Sequence, residues 1–156
     1  MQLFRKFDHT PIHDFVGYVN NYLETCGDEP IEILVGTDSQ SKGKFTIFST
    51  VVAFYHPGHG AHCIYSKWRT PKFRKSEMPI RLMKEVEASI EVAQEIKYKT
   101  WGDVSYIDLD INPEEGTGSN EVFQAAVGYV KGMGYKFRFK TLGPLITSLA
   151  DAIVKH

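Results

Sequence analysis

Apolar residues along this chain change their period several times, and each change marks an element. Ile12, Phe15, Val16, Val19, Tyr22 and Leu23 follow the three-to-four spacing of a helix. Thr10-Pro11 reads as its start, a Thr cap with Pro at the first helical position, and Gly27 and Pro30 stop it. Ile31 to Gln40 (Ile-Glu-Ile-Leu-Val-Gly-Thr-Asp-Ser-Gln) is an apolar, β-branched run ending in small polar residues, the pattern of a buried strand. Ser41 to Lys44 is a turn, Phe45 to Tyr55 a second strand, His56 to Gly60 another turn, and Ala61 to Trp68 a third strand. Three strands joined by short turns predict an antiparallel meander.

Beyond the meander the period alternates. Arg69 to Pro79 is polar and broken by prolines, so it reads as a loop. Ile80 to Lys99 is a long helix with Leu82, Val86, Ser89, Ala93 and Ile96 on one stripe. Asp103 to Ile111 reads as a fourth strand, and 112–118 as a loop. Ser119 caps a helix through about Met133, and Tyr135 to Thr141 alternates as a fifth strand. Gly143-Pro144 opens a final helix ending near His156. The predicted class is α/β: a mixed five-stranded sheet, meander first, with helices on both faces. We expect one domain over residues 1–156, with residues 1–30 as a helical extension packed on it.

Composition narrows the class. At 156 residues, 42% hydrophobic and 24% charged, the chain has the make-up of a folded globular domain rather than a disordered one. Cys26 and Cys63 form no CxxC pair and read as reduced thiols. The first eight residues lack the apolar run of a signal peptide, and no apolar stretch nears the roughly 18 residues of a membrane span. The expected location is the cytoplasm, with no membrane partner.

The placement of the acidic residues carries the chemistry. Asp38 ends the first strand. Asp108 and Asp110 share one face of the fourth, and alternation does not separate them. Glu85 borders the apolar stripe of the long helix, whereas Glu87 and Glu91 lie on its polar side. Asp151 sits among small and apolar residues in the final helix. A core-facing carboxylate is costly unless paired or metal-bound. Four of them on separate elements point to a shared hard cation, Mg²⁺ or Mn²⁺, which takes oxygen ligands.

The element order and these acids resemble the ribonuclease H-like fold. The local text Gly36-Thr37-Asp38-Ser39-Gln40, Ile107-Asp108-Leu109-Asp110-Ile111-Asn112-Pro113, Ser119-Asn120-Glu121-Val122, Gly128 to Gly134 and Ser148-Leu149-Ala150-Asp151 is similar to the bacterial YkuK family of ribonuclease H-like proteins. That resemblance implies phosphodiester hydrolysis of RNA or DNA by a two-metal mechanism. Asp38, Glu85, Asp108 (or Asp110) and Asp151 would be the catalytic ligands of two Mg²⁺ or Mn²⁺ ions. Ribonucleases H also carry a His before the last helix. Thr141 to Leu145 holds none, which leaves a catalytically weak or inactive nucleic-acid-binding domain as the alternative.

Basic residues refine the partner. Lys67, Arg69, Lys72, Arg74 and Lys75 cluster with Trp68 and Phe73 and no acid, a composition suited to phosphates and unpaired bases, or to a solvated loop with its aromatics in the core. Lys136, Arg138 and Lys140 read as a solvated strand face. His56, His59, His62 and Cys63 fall around a Pro-Gly turn, not in a zinc-ligand spacing. The formal net charge of -1 becomes +3 once the four proposed ligands are set aside, so near-neutrality does not exclude a polyanionic substrate.

Overall fold

Two short strands, β1 (Phe4–Lys6) and β2 (Pro11–Ile12), precede helix α1 (Phe15–Cys26). Three long strands follow: β3 (Glu32–Lys42), β4 (Phe45–His56) and β5 (Gly60–Pro71). A single 3-10 turn (Lys75–Glu77) leads into α2 (Met78–Lys99), and then come β6 (Tyr106–Leu109), α3 (Gly116–Gly132) and β7 (Phe137–Phe139). The computed structural model describes residues 3–109 and 116–139, with the backbone alone for 116–120. The expected final helix, Lys140, Asp110 and Asp151 lie outside the described residues.

The strands form one mixed sheet in the order β2-β1-β5-β4-β3-β6-β7. β3, β4 and β5 make the predicted antiparallel meander, while β6 and β7 join β3 in parallel. The β3–β4 turn is tight because Gly43 adopts φ 60, a left-handed conformation that glycine reaches without strain. Among the described residues two short strands add to the five expected, because β1 pairs with β5 (Phe4↔Ser66) and β2 with β1. Strands of two or three residues are too short to show a period, so the pattern hid them.

Several boundaries move for local reasons. Pro11 lies in the edge strand β2, where its missing N–H costs no ladder bond, and not at a helix start. α1 is instead capped by Asp14, whose Oδ1 accepts from the Gly17 N–H at 2.9 Å. β5 runs on to Pro71 because β4 is long enough to pair with it (Thr46↔Thr70, Phe45↔Pro71), so Arg69 is a strand residue. α2 begins at Met78, with Pro79 in its first turn. α3 begins at Gly116, three residues before the expected Ser119 cap.

Strand alternation divides the core. Ile33, Val35, Val52, Phe54, Ile64 and Ile107 face the three described helices, meeting Phe15 and Val19 of α1, Val86, Ile90 and Ile96 of α2, and Val122 and Val130 of α3. Gly102, just past α2, admits this packing: a Cβ there would stand 2.9 Å from Ile33 Cδ1. Within this face a buried hydroxyl chain ties α2 to the sheet, with Thr37 Oγ1 2.7 Å from Ser89 Oγ and 2.8 Å from Thr50 Oγ1. The opposite face buries Leu34, Val51, Ala53 and Tyr65, with Tyr106 and Cys63 beside them.

α1 is also held by polar contacts. Tyr18 OH lies 2.6 Å from His62 Nε2, and the His62 ring stacks on Tyr22 and Phe54. Burial, then the nearby Lys6 and His56, hold the His62 imidazole below its ordinary value of 6.5. As pH falls through 6.5 the unfolded chain protonates this His first, so its contribution is full above that value and is lost below it. Thermal melts should therefore show Tm falling on acidification below pH 6.5, and falling less steeply in His62→Phe. Parallel Tm–pH slopes for the two proteins would refute the assignment.

Candidate carboxylate site

The register of β3 against β6 brings two aspartates together. Gly36 pairs with Asp108, and Asp38 stands two residues further along β3 on the same face. Both carboxylates are buried, Asp38 at 6% and Asp108 at 2% relative exposure. Strand spacing and rise put their backbones roughly 8 Å apart on the diagonal. They stand toward the C-terminal ends of parallel strands, the edge where open α/β sheets place their sites. Gly36 interposes no side chain.

Each aspartate is oriented by a neighbour. The Ser39 N–H donates to Asp38 Oδ1 at 2.8 Å. Arg138, beside Asp108 in the β6–β7 register, donates from Nε to Asp108 Oδ1 at 3.1 Å. The Arg138 guanidinium also lies 5.1 Å over the Tyr106 ring. A strand face read as solvated thus holds the cation that balances a buried acid, because the parallel register of β7 against β6 sets Arg138 directly beside Asp108.

Glu85 arrives from the other side of the sheet. Asp38 and Ser39 point to opposite faces of β3, and Ser39 faces α2. Ser39 Oγ donates to Glu85 Oε2 at 2.6 Å. Arg81, one helical turn before Glu85, donates from Nε to Ser39 Oγ (2.7 Å) and from a terminal nitrogen to the Ser39 carbonyl (2.7 Å). Its other terminal nitrogen reaches Ser41 Oγ at 3.3 Å. Glu85 is buried (6%), whereas Glu87 and Glu91 are exposed. Glu85 is therefore joined to the end of β3 through Ser39. Among the described residues, no three His, Cys, Asp or Glu side chains converge closely enough to hold a metal ion.

The basic segment divides between two places. Lys67 shares a cross-strand row with Ser49 and Asp38, and Arg69, on the same face, lies 4.2 Å over the Phe45 ring. Lys72, Arg74, Lys75 and Arg81 instead line an open pocket of about 440 Å³ with Phe73 and Met78 at the start of α2. Trp68 is half-buried and stacks on Phe48 at 5.4 Å, with the planes 9° apart.

Sequence reasoning missed Ser39, Arg81 and Arg138 as partners of the acids. Ser39 was readable as the strand neighbour of Asp38, and Arg81 by its four-residue spacing from Glu85; Arg138 depends on strand order alone. The histidines near the Pro-Gly turn engage tyrosines, His56 with Tyr22 and His62 with Tyr18, while burial raises the Cys63 thiol to about 11.

A family described as Ribonuclease H-like matches residues 14–155, nearly the whole chain, and the chain belongs to that family. No curated protein and no solved structure matches it. Family membership supports a nucleic-acid-related role. No helix among the described residues is long and apolar enough to cross a membrane.

Ser39→Ala removes a donor from buried Glu85, and we expect it to destabilise the fold by about 1–3 kcal/mol in urea titration. The exposed control Glu87→Gln should stay within about 0.5 kcal/mol of wild type. Equal behaviour of the two variants would show that the Ser39–Glu85 contact contributes nothing.

Proposed function

We propose that the protein is a metal-dependent nuclease that hydrolyses phosphodiester bonds in RNA or DNA. The observation that carries this reading is the pair Asp38 and Asp108, two buried carboxylates on one face of adjacent parallel strands. Burying two like charges side by side is costly, and a divalent cation held by Asp38 and Asp108 would offset that cost. Their oxygen donors suit Mg²⁺ or Mn²⁺, and two such ions are expected. The donor set fits, with Asp38 and Asp108 as the ligands among the described residues. The family resemblance implies two further ligands, Asp151, outside the described residues, and Glu85, which Ser39 joins to the end of β3; Asp110 is the alternative to Asp108.

A bound ion of this kind polarises a phosphoryl oxygen and makes a coordinated water more acidic. The protein's own residues supply the rest. Ser39 N–H holds the Asp38 carboxylate in place, and Arg138 balances Asp108. Arg81 clamps the strand end that carries Asp38 and Ser39, and so fixes Glu85 against it. Lys67, on the Asp38 row, is placed for a phosphate beside the reacting one. Lys72, Arg74 and Lys75 offer charge to phosphates further along the strand.

A second reading, a nucleic-acid-binding domain without cleavage, is favoured by the internal partners of the acids. Arg138 on Asp108 and the Ser39–Arg81 pair at Glu85 supply hydrogen bonds and charge that a purely structural site also needs.

Labelled RNA, DNA and RNA/DNA hybrid should be cut in Mg²⁺ or Mn²⁺ and not in EDTA. Asp38→Asn and Asp108→Asn should lower the rate by roughly 100-fold or more while circular dichroism remains native. Metal-dependent cleavage that persists in both variants would sink the nuclease reading. Binding without cleavage in both metals would establish the second.

A further inference from the structure

A groove apart from the carboxylates lies between the end of β5 and α2. β1 pairs with β5 from Ile64 to Ser66. Beyond Ser66, among the described residues, β5 has β4 on one side and no strand on the other. Trp68 stands at this point. Its indole stacks on Phe48 toward β4, and its other side borders an open groove of about 530 Å³. Lys67 and Leu3 border the groove on the sheet side, and Lys84 and Glu87 on the α2 side.

We propose that this groove receives an unpaired nucleobase of a single-stranded nucleic acid, stacked on Trp68. The inference rests on the nucleic-acid reading above and names the form of its substrate. Three observations carry it. First, the indole is held in position. Phe48 is fully buried and lies flat against it, and Phe73 abuts Phe48 edge-on at 6.1 Å, so little side-chain freedom is lost on binding. Second, the groove's charges are mixed. Glu87 and Glu91 line the wall and disfavour a phosphate within it, while a carboxylate accepts from the exocyclic amino group of a base. Lys84 stands beside them for a flanking phosphate. Third, the aromatic row Trp68–Phe48–Phe73 leads from this groove to the basic pocket of Lys72, Arg74, Lys75 and Arg81, which Phe73 also lines. Base on one side and phosphates on the other is the arrangement a single strand requires.

The test uses the full chain in EDTA, so that no cleavage intervenes. Trp101 is exposed (74%), and Trp101→Phe leaves Trp68 as the sole indole. Short single-stranded DNA should quench that emission saturably. An abasic oligonucleotide with the same number of phosphates should bind roughly 5- to 150-fold more weakly, as should the parent oligonucleotide to Trp68→Ala, read by anisotropy. Trp68→Phe should recover part of the loss. Equal binding of abasic and normal strands to the wild-type protein would overturn the proposal, whatever the folding of the variants, and would leave the nuclease reading standing. Absence of binding by every nucleic acid in EDTA would overturn the groove proposal, while the nuclease reading stands or falls on the cleavage assay in Mg²⁺ and Mn²⁺. Loss of cleavage in Asp38→Asn with base-dependent binding intact supports the groove independently of catalysis.

Discussion

The structure turns on one strand that has to serve two faces at once. β3 lies inside the sheet with β4 on one side and β6 on the other, and both its faces are buried. A strand in that position has no solvent side to which a polar residue can be relegated. Every polar residue of its buried stretch, Ile33 to Ser39, must find a partner in the interior. Thr37, Asp38 and Ser39 are three such residues in succession. Alternation sends Thr37 and Ser39 toward α2 and Asp38 toward the other face. The partners follow from that: Ser89 and Thr50 for Thr37, Glu85 and Arg81 for Ser39, and the Ser39 N–H for Asp38, whose face it shares with Asp108.

This arrangement explains why acids and bases alternate in space around the strand end. Glu85 and Arg81 sit one helical turn apart on α2 and meet the same serine. Asp108 and Arg138 sit on neighbouring strands and meet each other. Glu85 and Asp108 are thus each given a donor by the element beside them, and Asp38 by the next residue of its own strand, which keeps three acids tolerable within one small domain. The same elements set the electrostatics of any approaching polyanion. Lys67 and Arg69 lie on the Asp38 face, while Lys72, Arg74 and Lys75 gather with Arg81 at the start of α2. A near-neutral protein can in this way offer a local positive surface without a global one.

The meander, the long amphipathic helix and the late strands were legible because their apolar periods run long enough to be read. Ile33, Val35, Val86, Ala93 and Ile96 were placed in the core by pattern alone, and Glu85 was separated from Glu87 and Glu91 by the same logic. The misread places share a cause. β1 and β2 are too short to have a period, and they exist because β5 offers them an edge. Arg69 became a strand residue because β4 was long enough to pair with it. Asp14 takes the capping role read for Thr10 because Pro11 is drawn into the sheet edge and α1 starts later, at Phe15.

The sequence by itself determined the residue types that alternate on each strand, the apolar stripe of α2, the acidic positions and the family to which they belong, because these are local properties of spacing and side-chain chemistry. Tertiary structure decided which of these residues meet. Asp108 faces Arg138 because β7 docks parallel to β6, and Asp38 shares its face because β3 pairs with β6 in that register. Glu85 finds Ser39 because alternation along β3 turns Ser39 toward α2. Strand order and register are set by packing summed over the whole sheet, and no local pattern in the chain encodes them.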